Sequence, residues 1–479
     1  MILETITFLQ SISIIITFLI SLILSSIMFF HITYYWLGKL KFKRSNTPPK
    51  SIESFPLVTI IVPVKNEPLD VITRHLKSIV EQSYPKDKIE VIIVSDDEEE
   101  YFRRIMCYVR SFSRESGLMV RVFRRERAVG FKAGALNYAL QRSRGKYVVV
   151  FDVDAVPEPD YLEKVVSFME TNNDVAGLAV RWIPLNTNSS PVSEVQAVSL
   201  SFLTSIFFDG RSRTNGPMII PGCGCVFPRR VLLEMSGWNE KCLAEDVELS
   251  IRLLLNGRRI AYLSDARVWI ENPETYEVFK KQQARWIYGT TQVLLKYFPK
   301  IIGSKMPLTW KLYLILYLLQ YHVLLANFAL AVLALMSILV RMDLLLSSIY
   351  FSPILLTLSM LQAFSYYNTA RNLGFNPFKS IIIIGRCTAM AAVLAPIVLL
   401  QNIKILVKWR EEWYITPKGS LARKIRGRSL NIMELLLAMT GILIGTILLK
   451  LGFPASASCL FTMSLPYLYV SWKTSKGAW

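Results

Sequence analysis

Residues 5–38 contain no Lys, Arg, Asp or Glu, and neither Gly nor Pro occurs before Gly38. As a helix rising 1.5 Å per residue this run would extend ~50 Å, beyond the ~30 Å hydrocarbon core of a bilayer. Nothing within it supports a turn, so one long transmembrane helix reaching into the interface is expected. The run is too long for the apolar part of a signal peptide, and no small-residue cleavage site follows it.

Charge-free runs recur at 312–340, 344–370 and 451–472, with a shorter one at 435–449. The pairs 312–340/344–370 and 435–449/451–472 read as helical hairpins with short turns. Segment 380–408 is apolar but carries Arg386, Pro396, Lys404 and Lys408. Lys39, Lys41, Lys43 and Arg44 follow the first span, and Lys404, Lys408, Arg410, Lys418, Arg423, Lys424, Arg426 and Arg428 crowd 404–428. The positive-inside rule sets both groups on the cytoplasmic side. Segment 380–408 then cannot cross once and is expected to lie along the surface or re-enter. The expectation is a protein of five spans in a plasma membrane, with its polar middle in the cytoplasm; a Golgi membrane would leave the same charge pattern.

The formal charge of +19 fits anchoring to anionic membrane lipids and a phosphate-bearing substrate. A nucleic-acid partner is not expected, because the basic residues cluster beside the spans. Six cysteines, Cys107, Cys223, Cys225, Cys242, Cys387 and Cys459, follow no regular spacing. They read as free thiols in a reducing compartment, and Cys223-x-Cys225 as small buried residues rather than metal ligands.

The polar middle, 57–300, is long enough for a substantial core. Val58-Thr-Ile-Ile-Val-Pro-Val64 and Val91-Ile-Ile-Val-Ser95 read as buried strands of the parallel type. Between them a helix is expected after Pro68, with Leu69, Ile72, Leu76, Ile79 and Val80 on one face. A third unit runs from Arg121-Val-Phe through Gly130–Asn137 into Tyr147-Val-Val-Val-Phe151. This alternation implies an α/β layer fold with a mostly parallel sheet, whose ligands gather at the carboxyl ends of the strands. Asn66-Glu67, Asp96-Asp97 and Asp152/Asp154 all fall at such ends. Strand alternation would send Asp152 and Asp154 to the same side, where two carboxylates can hold a divalent cation against a diphosphate.

The ordered set Val62-Pro-Val-Lys-Asn-Glu67, Asp96-Asp97, Gly130-x-Lys132-Ala-Gly134-x-x-Asn137, Asp152-x-Asp154, Glu245-Asp246 and Gln282-x-x-Arg285-Trp286 resembles the membrane-embedded family 2 glycosyltransferases. These have the GT-A fold and include cellulose, hyaluronan and chitin synthases. Trp413-Tyr-Ile-Thr-Pro-Lys418-Gly resembles the gating loop of the processive members. The resemblance implies a transmembrane helix at 1–38, a GT-A domain at 57–300, and a membrane domain at 301–479 containing the loop 410–428.

The same resemblance implies roles. Asp96 or Asp97 would receive the nucleobase or ribose, with Glu67 also on the donor side. The acidic Glu98-Glu-Glu100 that follows departs from the small residues common there. Lys132 and Arg285 would sit near the diphosphate, Asp152 would contact the nucleotide sugar, and Asp154 would ligate Mg²⁺ or Mn²⁺ with Asp152 beside it. Glu245-Asp246 would be the catalytic pair, with Asp246 the general base. Ala244 stands where the family often has a small hydroxyl residue. Gln282, Arg285 and Trp286 share one helix face; Gln282 and Trp286 would meet the acceptor, although Trp and Arg near a membrane also serve as anchors. Trp413, Thr416 and Lys418 would cover the bound nucleotide. The implied activity is inverting transfer of a hexosyl group from a nucleotide sugar, taken as UDP-linked, to a growing polysaccharide. The alternative acceptor is a lipid glycosylated once, as in ceramide glucosyltransferase.

Overall fold

The computed structural model describes residues 2–40, 54–409, 414–424, 431–477 and 479. Its soluble part is built on eight strands: β1 (Val58–Val64), β2 (Ile89–Ser95), β3 (Met119–Arg124), β4 (Tyr147–Val150), β5 (Val156–Pro157), β6 (Val175–Pro184), β7 (Cys225–Pro228) and β8 (Arg259–Ile270). They form one sheet in the order β3-β2-β1-β4-β7-β6-β8-β5. The first four pair in parallel. β7 then runs antiparallel to both β4 and β6, and β5 antiparallel to β8. The sheet is therefore mixed, and the mostly parallel character expected of it holds for the β3-β2-β1-β4 half.

That half explains its own apolar sequence. Ile60, Val62, Val91, Ile93 and Val149 face one core, which receives Ile72, Leu76 and Ile79 of the Leu69–Val80 helix. Ile61, Ile92, Val94, Val148 and Val150 face the other, which holds Leu136 and Ala139 with Leu249 and Leu253. Alternate residues are buried on both faces, as covered parallel strands require. The register brings the strand ends together: Val64 lies opposite Ser95, and Ile61 opposite Val150. Glu67, Asp96 and Asp152 consequently emerge along one edge.

The first helix runs unbroken over Ile2–Lys39. Its end meets the Pro191–Thr204 helix where that helix widens into a π-helical turn, Ser205–Gly210. A Cβ at Gly38 would come within 2.9 Å of Gly210 N, and one at Gly210 within 1.9 Å of Tyr34 O, so the contact depends on bare backbone at both positions.

The membrane hairpins are realised in part. Ile432–Lys450 and Pro454–Ser475 pack along each other as expected. The run 312–340 is not one helix but breaks into Leu308–Leu319, a turn at His322–Leu324, and Leu325–Val340. The Leu308–Leu319 part packs on the Tyr276–Gly303 helix, and Leu325–Val340 lies against Pro454–Ser475. The Ser352–Asn372 helix lies against the first helix instead of pairing with 312–340. Segment 380–408 forms Pro377–Ala392 and Ala395–Leu406, with Pro396 in the first turn of the second helix.

Among the described residues, five helices are long and apolar enough to cross a membrane: Gln10–Lys39, Pro191–Gly210, His322–Val340, Pro377–Leu406 and Ile432–Lys450. The number matches the expectation; by length and composition Pro191–Gly210 and Pro377–Leu406 are among the five, and 344–370 and 451–472 are not. All six cysteines are free thiols.

Candidate active site

β4 stops at Val150, and Asp152–Ala155 is a turn closed by Ala155 N–H donating to Asp152 O at 3.0 Å. Strand alternation therefore does not reach the Asp-x-Asp pair, and a turn rather than the strand pleat brings both residues to one cavity. Asp152 Oδ1 accepts from Lys132 Nζ at 2.7 Å, and its carboxylate is 38% exposed toward the cavity. Asp154 instead pairs with Lys418 and accepts the Glu271 N–H at 3.0 Å.

Lys132 sits in the first turn of the Phe131–Leu140 helix, entered through Gly130 at φ +76°. Its Nζ also donates to Gly222 O at 2.7 Å and lies 3.6 Å from Glu245 Oε1, so it joins the Asp152 turn to the Glu245-Asp246 pair. Glu245 and Asp246 open the Glu245–Leu255 helix, as expected. Asp246 Oδ1 accepts from Val247 N–H at 2.8 Å. Gly222 covers this corner: a Cβ there would stand 3.0 Å from Asp246 Oδ2 and 3.2 Å from Lys132 Nζ.

Charge follows from this geometry. Burial raises the Glu245 and Asp246 carboxyls above their ordinary range, against the pull of Lys132. Burial would also raise Asp152, but the ammonium groups of Lys132 and Lys418 outweigh it and hold Asp152 low. Glu67 is pushed up to about 7, first by burial and then by Asp154 and Asp152, against the pull of Lys418.

At the opposite end the two adjacent aspartates separate. Asp96 receives two hydrogen bonds from Arg125, Nε at 2.7 Å and Nη2 at 2.5 Å. Asp97 is buried and turned away, accepting from Asn66 N–H at 2.5 Å and Ser95 Oγ at 2.7 Å. It supports a loop in which Asn66 adopts φ +55°.

One cavity of ≈ 320 Å³ gathers the rest, a size typical of small-ligand sites. Glu67, Asp96, Lys132, Asp152, Asp154, Glu245, Asp246, Gln282, Arg285, Trp286, Thr416 and Lys418 all line it. Asp97 does not, and Trp413 lies outside the described residues. Gln282, Arg285 and Trp286 belong to the Tyr276–Gly303 helix, and the charges of Glu245, Asp152 and Asp246 act on Arg285. Gln282 is buried, and its Oε1 has no hydrogen-bond partner among the described residues.

Three features escaped the sequence reading. Arg125 holds Asp96 from 29 residues away. Glu271 links Arg74, Asp154 and Gly419; its only sequence cue is a polar pair, Glu271-Asn272, directly after a strand. Leu203, Phe207 and Tyr317 form an apolar wall of the cavity, and nothing in their spacing sets them apart from core residues.

Among the described residues no group of three or more His, Cys, Asp and Glu side chains could hold a metal ion. Asp152 and Asp154 nevertheless offer carboxylate oxygens, each already facing an ammonium. This donor set fits Mg²⁺ or Mn²⁺, which are commonly held by one or two carboxylates plus substrate phosphates.

A GT-A-like mixed sheet, with acidic and basic groups converging at its strand ends and apolar helices attached, is the arrangement of a glycosyltransferase. Residues 147–364 match the glycosyl transferase family group 2. A probable glycosyltransferase of Sulfolobus acidocaldarius is 30% identical, over 89% of this chain and 91% of that protein. Glucomannan 4-beta-mannosyltransferase 2 of Arabidopsis thaliana is 29% identical over 55% of this chain and 50% of its own length. A mannosyltransferase of Pyrobaculum calidifontis, solved with GDP-Man and Mn²⁺, superposes with a TM-score of 0.53 at 20% identity, covering 84% of this chain and all of that one. The chain belongs to glycosyl transferase family group 2.

Proposed function

We propose that this protein is an inverting hexosyltransferase that moves a sugar from a nucleoside diphosphate donor to a growing polysaccharide at the membrane. The observation that supports this most is that Asp96, Asp154 and Asp246 share one cavity. Asp246 takes the proton of the acceptor hydroxyl while that oxygen bonds to the anomeric carbon. The bond from that carbon to the diphosphate oxygen breaks on the opposite face, and its electron pair leaves with the nucleoside diphosphate. Arg285 and Lys132 offset the charge that develops there. Asp154 and Asp152 would hold Mg²⁺ or Mn²⁺, which neutralises diphosphate charge when bound. Glu245 keeps Lys132 in place beside Asp152.

Asp96, steadied by Arg125, meets the nucleobase, and Glu67 lies on the donor side; Asp97 shapes the loop. Gln282 and Trp286 meet the acceptor, and Gln282 Oε1, without a hydrogen-bond partner among the described residues, supports that role. Thr416 and Lys418 close over the nucleotide. The family resemblance favours a UDP-linked donor, whereas the mannosyltransferase of Pyrobaculum calidifontis was solved with GDP-Man. The apolar wall of Leu203, Phe207 and Tyr317 supports a second reading, a lipid acceptor glycosylated once. The domain at 57–300 works on the cytoplasmic face of a plasma membrane.

Membranes carrying the protein, incubated with UDP- and GDP-linked sugars and Mn²⁺ or Mg²⁺, test this. Transfer from one donor into a high-molecular-weight product is expected. A single-sugar glycolipid would replace the polymer reading, and no turnover of any donor would end both.

A further inference from the structure

The cation position at Asp154 is already filled from within the chain. Lys418 Nζ pairs with Asp154 Oδ1, and the two side chains are 14% and 5% exposed. Asp154 Oδ2 accepts the Glu271 N–H at 3.0 Å, so both carboxylate oxygens have partners. Glu67 and Asp152 act on the same ammonium.

The contact is held by a built latch. Gly419 N–H donates to Glu271 Oε2 at 3.0 Å, and Glu271 Oε1 is fixed by Arg74 at 2.6 Å. Ser420 donates to Asp70 through its Oγ at 3.1 Å and its N–H at 3.3 Å. Gly419 has φ +55°, and a Cβ there would come within 2.5 Å of Val71 Cγ2. Only glycine permits this docking without displacement.

Resting on the transferase reading, we infer that Lys418 is a tethered cation occupying the divalent-ion position, so that docking of residues 418–420 and metal binding at Asp154 compete. An ammonium and a divalent ion repel each other on one carboxylate, and the second Asp154 oxygen already accepts the Glu271 N–H. The ion therefore enters only as Lys418 leaves. The diphosphate that accompanies the metal gives Lys418 a new anion to meet. Residues 418–420 thus act as a selectivity device: a bare cation faces a competitor, and a cation brought with a diphosphate does not. This separates donor binding from unproductive metal occupancy.

The test is Mn²⁺ binding by the full chain in detergent without nucleotide, with free Mn²⁺ read by electron paramagnetic resonance. Lys418→Met should tighten binding by about tenfold or more, the scale of removing one like charge from a buried ligand. Gly419→Ala, which undocks the segment but keeps the lysine, should act in the same direction, and Lys418→Arg should restore the wild-type affinity. Unchanged affinity in Lys418→Met and Gly419→Ala, with binding lost in Asp154→Asn, would overturn the competition and leave the metal reading standing. Unchanged binding in Asp154→Asn would instead remove Asp154 as a metal ligand, and the competition with it.

Discussion

Asp246→Asn separates a catalytic base from a structural first-turn acid. The carboxamide keeps Oδ1 as acceptor for Val247 N–H, now at 2.8 Å, and adds no heavy atom beside Gly222. The helix start is therefore preserved. Burial raises the Asp246 carboxyl in the folded chain. An acid with a raised folded pKa destabilises the fold when ionised, at pH values above its unfolded pKa, and neutralising it removes that cost. The variant should melt at the wild-type temperature or slightly above. The loss of a general base lowers kcat by about 10²–10⁴-fold, roughly 2.7–5.5 kcal/mol of barrier. Labelled-donor transfer gives kcat, and nucleotide titration calorimetry should give wild-type donor affinity. A kcat within tenfold of wild type, or an activity loss matched by a fall in melting temperature, would refute the assignment.

Other expectations follow from the same geometry. Activity should decline as pH falls below neutrality, not only near the usual carboxylate value of about 4, because burial raises Glu245 and Asp246 and Glu67 sits at about 7. A pH–rate profile checks this, and a flat rate down to pH ~5 would contradict it. Arg285→Lys keeps the charge but loses the planar fork, so kcat should fall about 10–100-fold with little change in melting temperature. Gly210→Ala places a methyl 1.9 Å from Tyr34 O and should destabilise the protein by about 1–3 kcal/mol through overpacking, seen as a lower melting temperature in detergent.

The parallel half of the sheet was readable because strands covered on both faces must be apolar at nearly every position, and Val58–Val64 is apolar except at Thr59. Glu245–Leu255 was readable because its acidic start and apolar spacing agree. The Asp-x-Asp pair sits on a turn and not on the strand because pairing with β1 and β7 ends at Val150, a tertiary event without local signal. The division of labour between Asp96 and Asp97 was open because identical side chains differ only in what faces them, here Arg125 and Asn66. The break in 312–340 has no Gly or Pro to announce it, whereas Pro396 does mark the start of the second helix in 377–406. Lys418 and Asp154 lie 264 residues apart, a distance that periodicity cannot bridge.

The most direct measurement is a cryo-electron microscopy map of the full chain with its donor nucleoside diphosphate and Mn²⁺. The account predicts the base beside Asp96, the diphosphate between Arg285 and an ion on Asp154, Lys418 released from that carboxylate, and Asp246 facing open space for an acceptor. Nucleotide bound outside this cavity, or an ion with no contact to Asp154, would contradict it.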